Sequence, residues 1–282
     1  VSATVSGANT EYVTLGGTLA RNTSLGSGVY RITSNLTVPA GITLTLAPGT
    51  IFKFNQNTFM TINGTLLAVG AAGKPVVFTA VTDDSYGGDT NNDGSSAGVP
   101  GYWRNLYFDG SPASRLLNVV VRYTGYNGYS AVDCYNKSHM EIRNSSFIDN
   151  KNYAIYLNQS NVVAEGNTLE GNGGGFYLNY SSPTIRANRI AGNTNQGIHV
   201  NSGVRNNGSL PSNPVIDGNE IVNNGNYGIY FLHYENAPTI TGNTITGNLI
   251  PLLVPVSALP DASNTLNCLG VQGCIENTRK YI

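Results

Sequence analysis

The sequence predicts an all-β solenoid of about ten stacked coils, and three observations lead to this prediction. The first is composition: 34 Gly and 37 Asn, with only 11% charged residues, are typical of a chain rich in turns. The second is an internal repeat of about 22 residues. The third is an apolar alternation of period two over four or five positions in each repeat, which indicates short strands and not helices.

Bulk composition limits what the chain can be. Hydrophobic residues make up 40% of the 282 residues, which is enough to bury a large core. The net charge of -1 excludes a strongly basic protein. The longest apolar run is interrupted by Pro251 and Pro255, so no membrane span is expected. Low charge with abundant Asn, Thr and Tyr favours an extracellular or cell-surface protein.

Five segments of the chain can be laid over one another. They begin at Gly128, Asn152, Gly174, Gln196 and Tyr227, and each joins a short alternating strand to a second strand and an Asn-bearing turn. The interval before the last segment is longer and contains NSGVRNNGSLPSNP, which predicts an inserted loop at 201–214. Because such short strands are not stable alone, successive coils are expected to stack and to pair their backbones.

The alignment predicts which side chains point inward. Three apolar columns are expected to form the core: Val132, Ile155, Phe176, Ile198 and Ile229; Cys134, Leu157, Leu178, Val200 and Phe231; Phe147, Leu169, Ile190, Ile221 and Ile245. Cys134 is therefore predicted to be a buried, inert thiol. Two columns of Asn predict hydrogen-bonded ladders at the turns: Asn167, Asn188, Asn219 and Asn243; Asn150, Asn172, Asn193, Asn224 and Asn248.

The predicted solenoid occupies residues 29–250, with loop insertions at 82–101 and 201–214. Residues 1–28 and 251–282 lack the pattern and are expected to cap the two open ends, because a bare terminal coil would expose a strand edge. The first residue is Val1 and no leader follows, so the chain is expected to be part of a larger surface protein. Cys268 and Cys274 either close a small disulfide loop or remain free thiols.

Several stretches carry a family resemblance. LTVPAGITLTLAPGTIFKF, GTLLAVGAAGKPVVFTAVTDDSYGGDTNNDG and the GIY and PTITGNTITGN coils resemble the right-handed parallel β-helix repeats of bacterial secreted and surface proteins, the pectate-lyase-like group. The resemblance covers roughly residues 30–250. It implies a single-stranded right-handed parallel β-helix, but the group contains lyases, hydrolases, adhesins and binding modules, so it does not specify a function.

The loop at 83–101 predicts a structural calcium site. Asp89, Asn91 and Asp93 followed by Gly94 match the start of a calcium-binding loop, in which alternate oxygens converge on the ion. Pro100 stands where an EF-hand has its bidentate Glu, so Asp83 or Asp84 is expected to complete the site. A plain polar turn is the alternative.

One outward face is predicted to carry rings beside amides. Directly after the first core column, the outward sites are Asp133, Tyr156, Tyr177, His199 and Tyr230, and two residues further on they are Tyr135, Asn158, Asn179, Asn201 and Leu232. Tyr rings stack on sugar rings and amides bind hydroxyl groups, so these residues predict an exposed polysaccharide-binding face without a catalytic role. The alternative is that these Tyr residues are present only because strands favour Tyr, with no role in binding.

Two other functions stay open. The same rings stack nucleobases, and residues 101–210 hold nine Lys or Arg against six acids, so extracellular DNA is an alternative ligand for an adhesin- or pilus-associated module. A polysaccharide lyase or glycoside hydrolase is the second alternative. The resemblance implies that a hydrolase of the polygalacturonase type would have a Gly-His-Gly segment, and this sequence has none. The aligned coils also place no two carboxylates together on one outward face, except in the column Arg143, Glu165, Arg186 and Asp217, which predicts a surface salt-bridge ladder. An enzyme is therefore disfavoured.

Overall fold

The computed structural model is a right-handed parallel β-helix of about ten coils, as the sequence predicts. It describes residues 11–202, 204–205, 208–209, 211–233, 236–255, 263–266 and 275–278. Helical structure in this part of the chain is one short 3-10 turn, Tyr126–Gly128. None of its helices is both long and apolar enough to cross a membrane.

Each coil visits three faces, here named in chain order. The first two strands, Tyr12–Thr18 and Gly28–Val38, run across both the first and the second face. The other first-face strands are Thr50–Phe54, Val76–Ala80, Val119–Arg122, Ser146–Ile148, Thr168–Glu170, Arg189–Ala191, Glu220–Val222, Thr244–Thr246 and Thr265–Leu266. The other second-face strands are Met60–Ile62, Leu106–Asp109, Val132–Tyr135, Tyr153–Asn158, Gly174–Asn179, Ile198–Asn201, Tyr227–Phe231, Ile250–Pro255 and Ile275–Thr278.

The third face is a separate nine-stranded sheet. Its strands are Thr23–Leu25, Thr43–Leu46, Thr65–Val69, Ser114–Leu117, His139–Arg143, Asn161–Glu165, Thr184–Arg186, Val215–Asp217 and Thr239–Thr241. Every pair of neighbouring strands on the three faces is parallel, as stacked coils require. The insertion at 201–214 contains an antiparallel pair, Val204–Arg205 with Gly208–Ser209.

The predicted core columns are confirmed. Val132 pairs with Ile155, and Phe176 pairs with Ile198, so equivalent residues of successive coils lie side by side. All 15 predicted core residues are fully buried. Cys134 is a buried free thiol whose pKa is raised well above its usual value by burial, as expected of an inert core cysteine.

A column of small residues lets the coils approach closely at the start of the second face. It consists of Ala131, Ala154, Gly175, Gly197 and Gly228, each directly before the first inward residue. A Cβ at Gly175 would lie 2.2 Å from the carbonyl oxygen of Gly197, and one at Gly197 would lie 2.7 Å from that of Gly228. Glycine is therefore required at this position in these coils because the next backbone occupies the space.

The charged column of the third face is a salt-bridge ladder over three coils. Glu165 pairs with Arg143 on one side and with Arg186 on the other, the latter at 3.0 Å. Asp217, the fourth member, accepts a hydrogen bond from the Thr241 hydroxyl at 2.7 Å. These partners are structural neighbours and lie on a different face from the rings described below.

The proposed caps at 1–28 and 251–282 stay predictions. Within the first region, Tyr12–Thr18 already pairs in parallel with Gly28–Val38. Within the second, Ile250–Pro255 pairs with Tyr227–Phe231. Residues 1–10, Cys268 and Cys274 lie outside the described residues.

Candidate functional site

A file of six aromatic rings runs along the second face through six consecutive coils. Its members, here called the ring ladder, are Tyr107, Tyr135, Tyr156, Tyr177, His199 and Tyr230. Neighbouring centroids are 4.4 to 5.5 Å apart, with interplanar angles of 32° to 73°. The rings therefore touch their neighbours continuously but are tilted, which is the geometry that aromatic pairs prefer over a flat stack.

Strand alternation places these rings. Tyr156 pairs with Tyr177, Tyr177 with His199, and His199 with Tyr230 in the sheet register. Each of them follows a buried residue and precedes another, so its side chain must point outward. The predicted column is therefore confirmed in its register, and the spacing between coils brings the rings into contact.

The rings are half-buried, whereas the sequence predicted an exposed face. Each ring covers part of the next one. Tyr153 adds to this cover, because its ring meets that of Tyr177 edge-on at 5.2 Å and its hydroxyl donates to Oε1 of Gln196 at 2.7 Å. The second face therefore carries a packed, partly buried aromatic surface instead of the exposed face that the sequence predicts.

Burial disfavours the charged forms of five rings of the ladder. It raises the pKa of Tyr107, Tyr135, Tyr156 and Tyr177, so these phenols keep their protons. It also lowers the pKa of His199 to about 4, so the imidazole is neutral. The ladder therefore offers neutral hydroxyl and imidazole groups for hydrogen bonding.

The predicted amide column lies directly beside the rings. Asn158 pairs with Asn179 and Asn179 with Asn201 in the register of the second face. The Asn201 amide donates to Oδ1 of Asn179 at 3.1 Å and reaches the Tyr177 hydroxyl at 3.5 Å. Amides and phenols form one polar network whose outer edge faces solvent, since all three Asn are half-buried.

Asp133 differs from the other predicted face residues. The register places it between Tyr107 and Tyr156 in the ladder column, but it is only 4% exposed. Its Oδ2 accepts a hydrogen bond from Nδ2 of Asn105 at 2.6 Å, and Asn105 is itself fully buried. Asp133 therefore lies beneath the surface instead of on it, which corrects the predicted position in an exposed column.

Burial also changes the acidity of Asp133. It raises the pKa of the carboxyl to about 7, although hydrogen bonds from Asn105 and Ser130 and the charge of Arg104 act in the opposite direction. A carboxyl group with a pKa near 7 can give and take a proton near neutral pH. Oδ1 of Asn105 is buried without a hydrogen-bond partner in the described part of the chain.

Asp133 and Asn105 lie at the bottom of a two-part depression, here called the cleft. One part, of about 360 Å³, is lined by Phe59, Thr61, Arg104, Asn105, Tyr107, Tyr129 and Tyr135. The other, of about 260 Å³, is lined by Asn127, Gly128, Tyr129, Ser130, Asp133, Tyr135 and Tyr156. Tyr129 and Tyr135 belong to both parts, so the cleft is continuous with one end of the ring ladder.

Arg104 is fixed against two aromatic rings in the cleft. Its Cζ lies 4.0 Å from the ring centroid of Phe59 and 4.1 Å from that of Tyr129. Trp103, directly before it, is fully buried, stacks on Phe54 at 4.0 Å and donates from its indole nitrogen to the Arg122 carbonyl at 2.7 Å. Trp103 thus anchors the backbone that carries Arg104, and the two rings hold the guanidinium.

The sequence predicts only three of the twelve residues that line the cleft, namely Asp133, Tyr135 and Tyr156. Tyr107, Arg104, Asn105 and Tyr129 precede the first aligned repeat or lie just inside it, and the loop at 82–101 obscures the period there. A local signal was present, because LYFD at 106–109 has the same alternation as IYLN and FYLN in the aligned coils. Extending the alignment by that motif adds Tyr107 to the ladder, but not Arg104 or Tyr129, which stand outside the strands.

The predicted calcium loop brings three acids together. Carboxylate oxygens of Asp84, Asp89 and Asp93 lie within 4.8 Å of one another. Asp89 is held by backbone donors, since its Oδ1 accepts from the N–H of Asn92 at 2.6 Å and its Oδ2 from that of Gly94 at 3.0 Å. Three carboxylates are ligands that Ca²⁺ prefers, so these residues fit the ion in chemistry.

The structure separates one of the other two predicted ligands, Asp83, from this group. Asp83 is buried, accepts hydrogen bonds from the Thr79 and Ser85 hydroxyls at 2.5 Å each and lies 3.7 Å from Arg122. Asn91 turns its amide toward Asp93 and donates to Oδ2 at 2.7 Å. Asp83 is therefore engaged in holding the loop, whereas Asn91 contacts the acidic group and its Oδ1 is buried without a hydrogen-bond partner in the described part of the chain.

Lys53 supplies a charge that the sequence did not point to. It is fully buried, its ammonium donates to the Gly88 carbonyl, and it lies 3.8 Å from Oδ1 of Asp84. Burial lowers its pKa, while Asp84 acts to raise it. An ammonium at this point already offsets part of the negative charge of the loop.

The basic residues of 101–210 are mostly neutralised by acids. Five of the eight whose side chains are described form ion pairs. These pairs are Arg115 with Glu141, Arg122 with Asp149, Arg143 with Glu165, Arg186 with Glu165, and Arg189 with Glu220. All five arginines belong to first-face or third-face strands, so they form no basic groove along the ring ladder.

Comparison with known proteins identifies the fold. A family model described as "Right handed beta helix region" matches residues 45–245. No curated protein sequence matches the chain. A mutant of the periplasmic alginate epimerase AlgG has a TM-score of 0.54 at 14% identity, covering 87% of this chain and 67% of that one.

Two further solved structures are less similar. The mannuronan C-5 epimerase AlgE4 A-module of Azotobacter vinelandii gives a TM-score of 0.38 at 15% identity, covering 89% of this chain and 91% of that one. The Dettilon tailspike protein gives 0.45 at 14% identity, covering 83% of this chain and 52% of that one. At these identities the likeness extends to the fold alone.

Proposed function

The chain belongs to the right-handed β-helix family, and we propose that it uses the second face of that fold to bind polysaccharide outside the cell. The ring ladder carries this proposal. Six rings in unbroken contact across six coils span about 24 Å at the usual strand spacing of about 4.8 Å, which is long enough for several sugar units. A fold that only needed β-forming surface residues would not require six aromatic rings to contact one another in one continuous row.

The chemistry of this face suits sugars. Aromatic ring faces pack against the C–H faces of sugar rings, and the phenols, His199 and the amide column offer neutral hydrogen-bonding groups for hydroxyls. Half-burial favours binding, because packed rings lose little conformational freedom when a ligand arrives. The periplasmic alginate epimerase that shares the fold acts on a polysaccharide, as its name says, which is in keeping with the proposal.

Charge favours a glycan over DNA. A DNA-binding groove gains most of its affinity from Lys and Arg that contact phosphates. Along the second face, Arg104 is the one cation among the described residues that line the cleft, and the arginines of the other faces are paired with acids. In the described part of residues 101–210 only Arg104, Lys137 and Lys151 form no ion pair, which is too few cations for a nucleic-acid backbone.

The test compares binding to a polysaccharide panel by the wild-type protein and by a triple variant with Tyr156→Ser, Tyr177→Ser and Tyr230→Ser. Binding is expected to fall at least about tenfold in the triple variant, because stacking contributes about 1 kcal/mol or more per ring. Isothermal titration calorimetry gives the affinity. Circular dichroism and the melting temperature show that the variant is folded.

A double variant with Tyr12→Ser and Tyr86→Ser is the control, because these half-buried tyrosines lie away from the ladder. It is expected to bind like the wild type. Unchanged binding by a folded triple variant would exclude the ladder as the site. Binding of single-stranded DNA that weakens steeply with salt, with no binding to any glycan, would replace the glycan by DNA.

Asp133 favours a second candidate, a polysaccharide-modifying enzyme. A buried carboxyl with a pKa near 7 in a cleft lined by Tyr135 and Tyr156 has the properties of a general acid or base. The test incubates wild type and Asp133→Asn with the same panel and measures new reducing ends, unsaturated products and changes of sugar configuration by NMR. Product formed by the wild type and abolished in a variant that still binds would establish the enzyme, whereas no product from any polymer would exclude it.

A further inference from the structure

Arg104 has an unusual combination of contacts for a surface arginine. Its side chain forms no ion pair and no hydrogen bond with any residue that the structure describes, and its Nε is buried without a partner. Five other arginines of the same region are paired with acids. A guanidinium that is fixed by two rings and left without an acid is preorganised to receive one.

The surroundings of Arg104 leave the cleft positive. Asp133 is the carboxyl whose charge Arg104 influences, and burial raises its pKa to about 7, so near neutral pH it carries only part of a negative charge. The phenols of Tyr107, Tyr135 and Tyr156 also face Asp133 and keep their protons. The net charge offered to a ligand in the cleft is therefore positive near neutral pH, although smaller than that of the guanidinium alone.

From these contacts we propose that Arg104 makes the cleft selective for an acidic sugar unit. The carboxylate or ester anion of the sugar binds the guanidinium, and the sugar ring packs against Tyr129 and Tyr135. This inference rests on the proposed function and names its ligand class. Guanidinium presents several N–H donors in a plane, which matches the two oxygens of a carboxylate. Contact with the two rings shields part of the guanidinium from water, which strengthens such a pair.

The experiment uses pairs of polymers that differ only in charge. Polygalacturonate and alginate are each compared with a form in which the carboxyl groups have been reduced to hydroxymethyl groups. The wild-type chain is expected to bind the carboxylated form at least about tenfold more tightly, the effect of one charge-assisted pair. In Arg104→Gln that preference is expected to disappear, with affinity for the reduced polymers changed less than about twofold.

Two further variants keep the result interpretable. Arg115→Gln removes an exposed arginine of the third face, paired with Glu141 at 3.4 Å, and is expected to keep the wild-type preference. Arg104→Lys keeps the charge but not the planar set of donors, so a reduced preference is expected. This variant tests the inference if Arg104→Gln does not fold. Equal binding of both polymer forms by the wild type, or full preference in folded Arg104→Gln, overturns the inference.

The outcomes also separate this inference from the proposed function. Ring-dependent binding of the reduced polymers without charge preference leaves glycan binding standing and overturns the role of Arg104. Failure to bind any polymer in either form overturns both. A preference that survives in Arg104→Gln but is lost in the triple tyrosine variant would place the anion-binding group elsewhere on the face.

Discussion

The side-chain oxygen of Asn188 accepts two hydrogen bonds from Asn167, one from its backbone N–H and one from its side-chain amide, both at 2.9 Å. The Asn188 amide in turn donates to Oδ1 of Asn219 at 2.9 Å and to the carbonyl of Ala164 at 3.0 Å. The same pattern is repeated at each step of both Asn columns, and all of these residues are buried. Each Asn thus replaces the backbone pairing that a turn would otherwise lose inside the solenoid.

Removal of one rung is expected to be costly. In Asn188→Ala the backbone N–H of Asn167 and the Ala164 carbonyl lose their side-chain partner inside the protein, while Oδ1 of Asn219 keeps only the bond from the backbone N–H of residue 188. At about 1–3 kcal/mol for a buried group left unsatisfied, the free energy of unfolding should fall by about 3 kcal/mol or more. Urea denaturation measures this. Asn195→Ala is the control, because Asn195 is exposed and is held by backbone hydrogen bonds; a loss equal to that of Asn188→Ala would contradict the ladder.

Tyr177 tests whether ring contact stabilises the second face. Its ring touches those of Tyr156, His199 and Tyr153 at 4.4 to 5.2 Å. Tyr177→Phe keeps these contacts and is expected to change the free energy of unfolding by less than about 0.5 kcal/mol. Tyr177→Ser removes them and should cost about 1–2 kcal/mol, more than an exposed substitution. If Tyr177→Phe and Tyr177→Ser both leave the melting temperature nearly unchanged, the rings do not stabilise one another.

Asp133 is expected to make stability depend on pH. Its pKa is about 7 when folded and about 3.9 when unfolded, so between these values the folded state holds a proton that the unfolded state has lost. Stability from this group is therefore present at low pH and is lost as pH rises from 4 to 7. Asp133→Asn should gain roughly 2–4 kcal/mol relative to wild type over that interval.

The measurement is urea denaturation of wild type and Asp133→Asn at pH 4, 5.5, 7 and 8. His199, whose pKa is lowered to about 4 by burial, acts with the opposite sign in the same interval, but it is present in both proteins and cancels in the difference. Asp109→Asn on the same face retains Asp133 and should keep the wild-type pH dependence. Parallel curves for wild type and Asp133→Asn would exclude the buried, protonated carboxyl.

We propose that calcium binds the acidic loop through Asp84, Asp89 and Asp93. Because the ion binds only the folded loop, calcium at about 100 times its Kd should raise the free energy of unfolding by about 2.7 kcal/mol. Asp93→Asn should weaken this effect, while Asp217→Asn on the third face should not. If chelator-treated protein shows neither heat of binding nor a change in Tm at millimolar calcium, the loop does not bind calcium. Lys53 alone would then offset the negative charge of the loop.

Sequence alone determined the solenoid, its columns and their register. Repeats of nearly constant length must place equivalent residues in adjacent coils, so the stacking of Phe176 on Ile198, the rungs of Asn188 and the outward column of Tyr177 all follow from counting. A strand side chain has only two directions available, and the alternation of apolar residues decides between them. Inserted loops do not disturb this order, because they leave at the turns.

Tertiary structure alone decided how deeply the face is buried and where the cleft lies. Phe59, Arg104 and Tyr129 come from positions with no common period, and they meet only because the loop at 82–101 returns the chain beside the turn at 126–128. The register puts Asp133 in the outward column, but the amide of Asn105 holds its carboxyl beneath the surface, and that depth sets its pKa. A period can assign the direction of a side chain, but its burial and charge depend on neighbours that are distant in sequence.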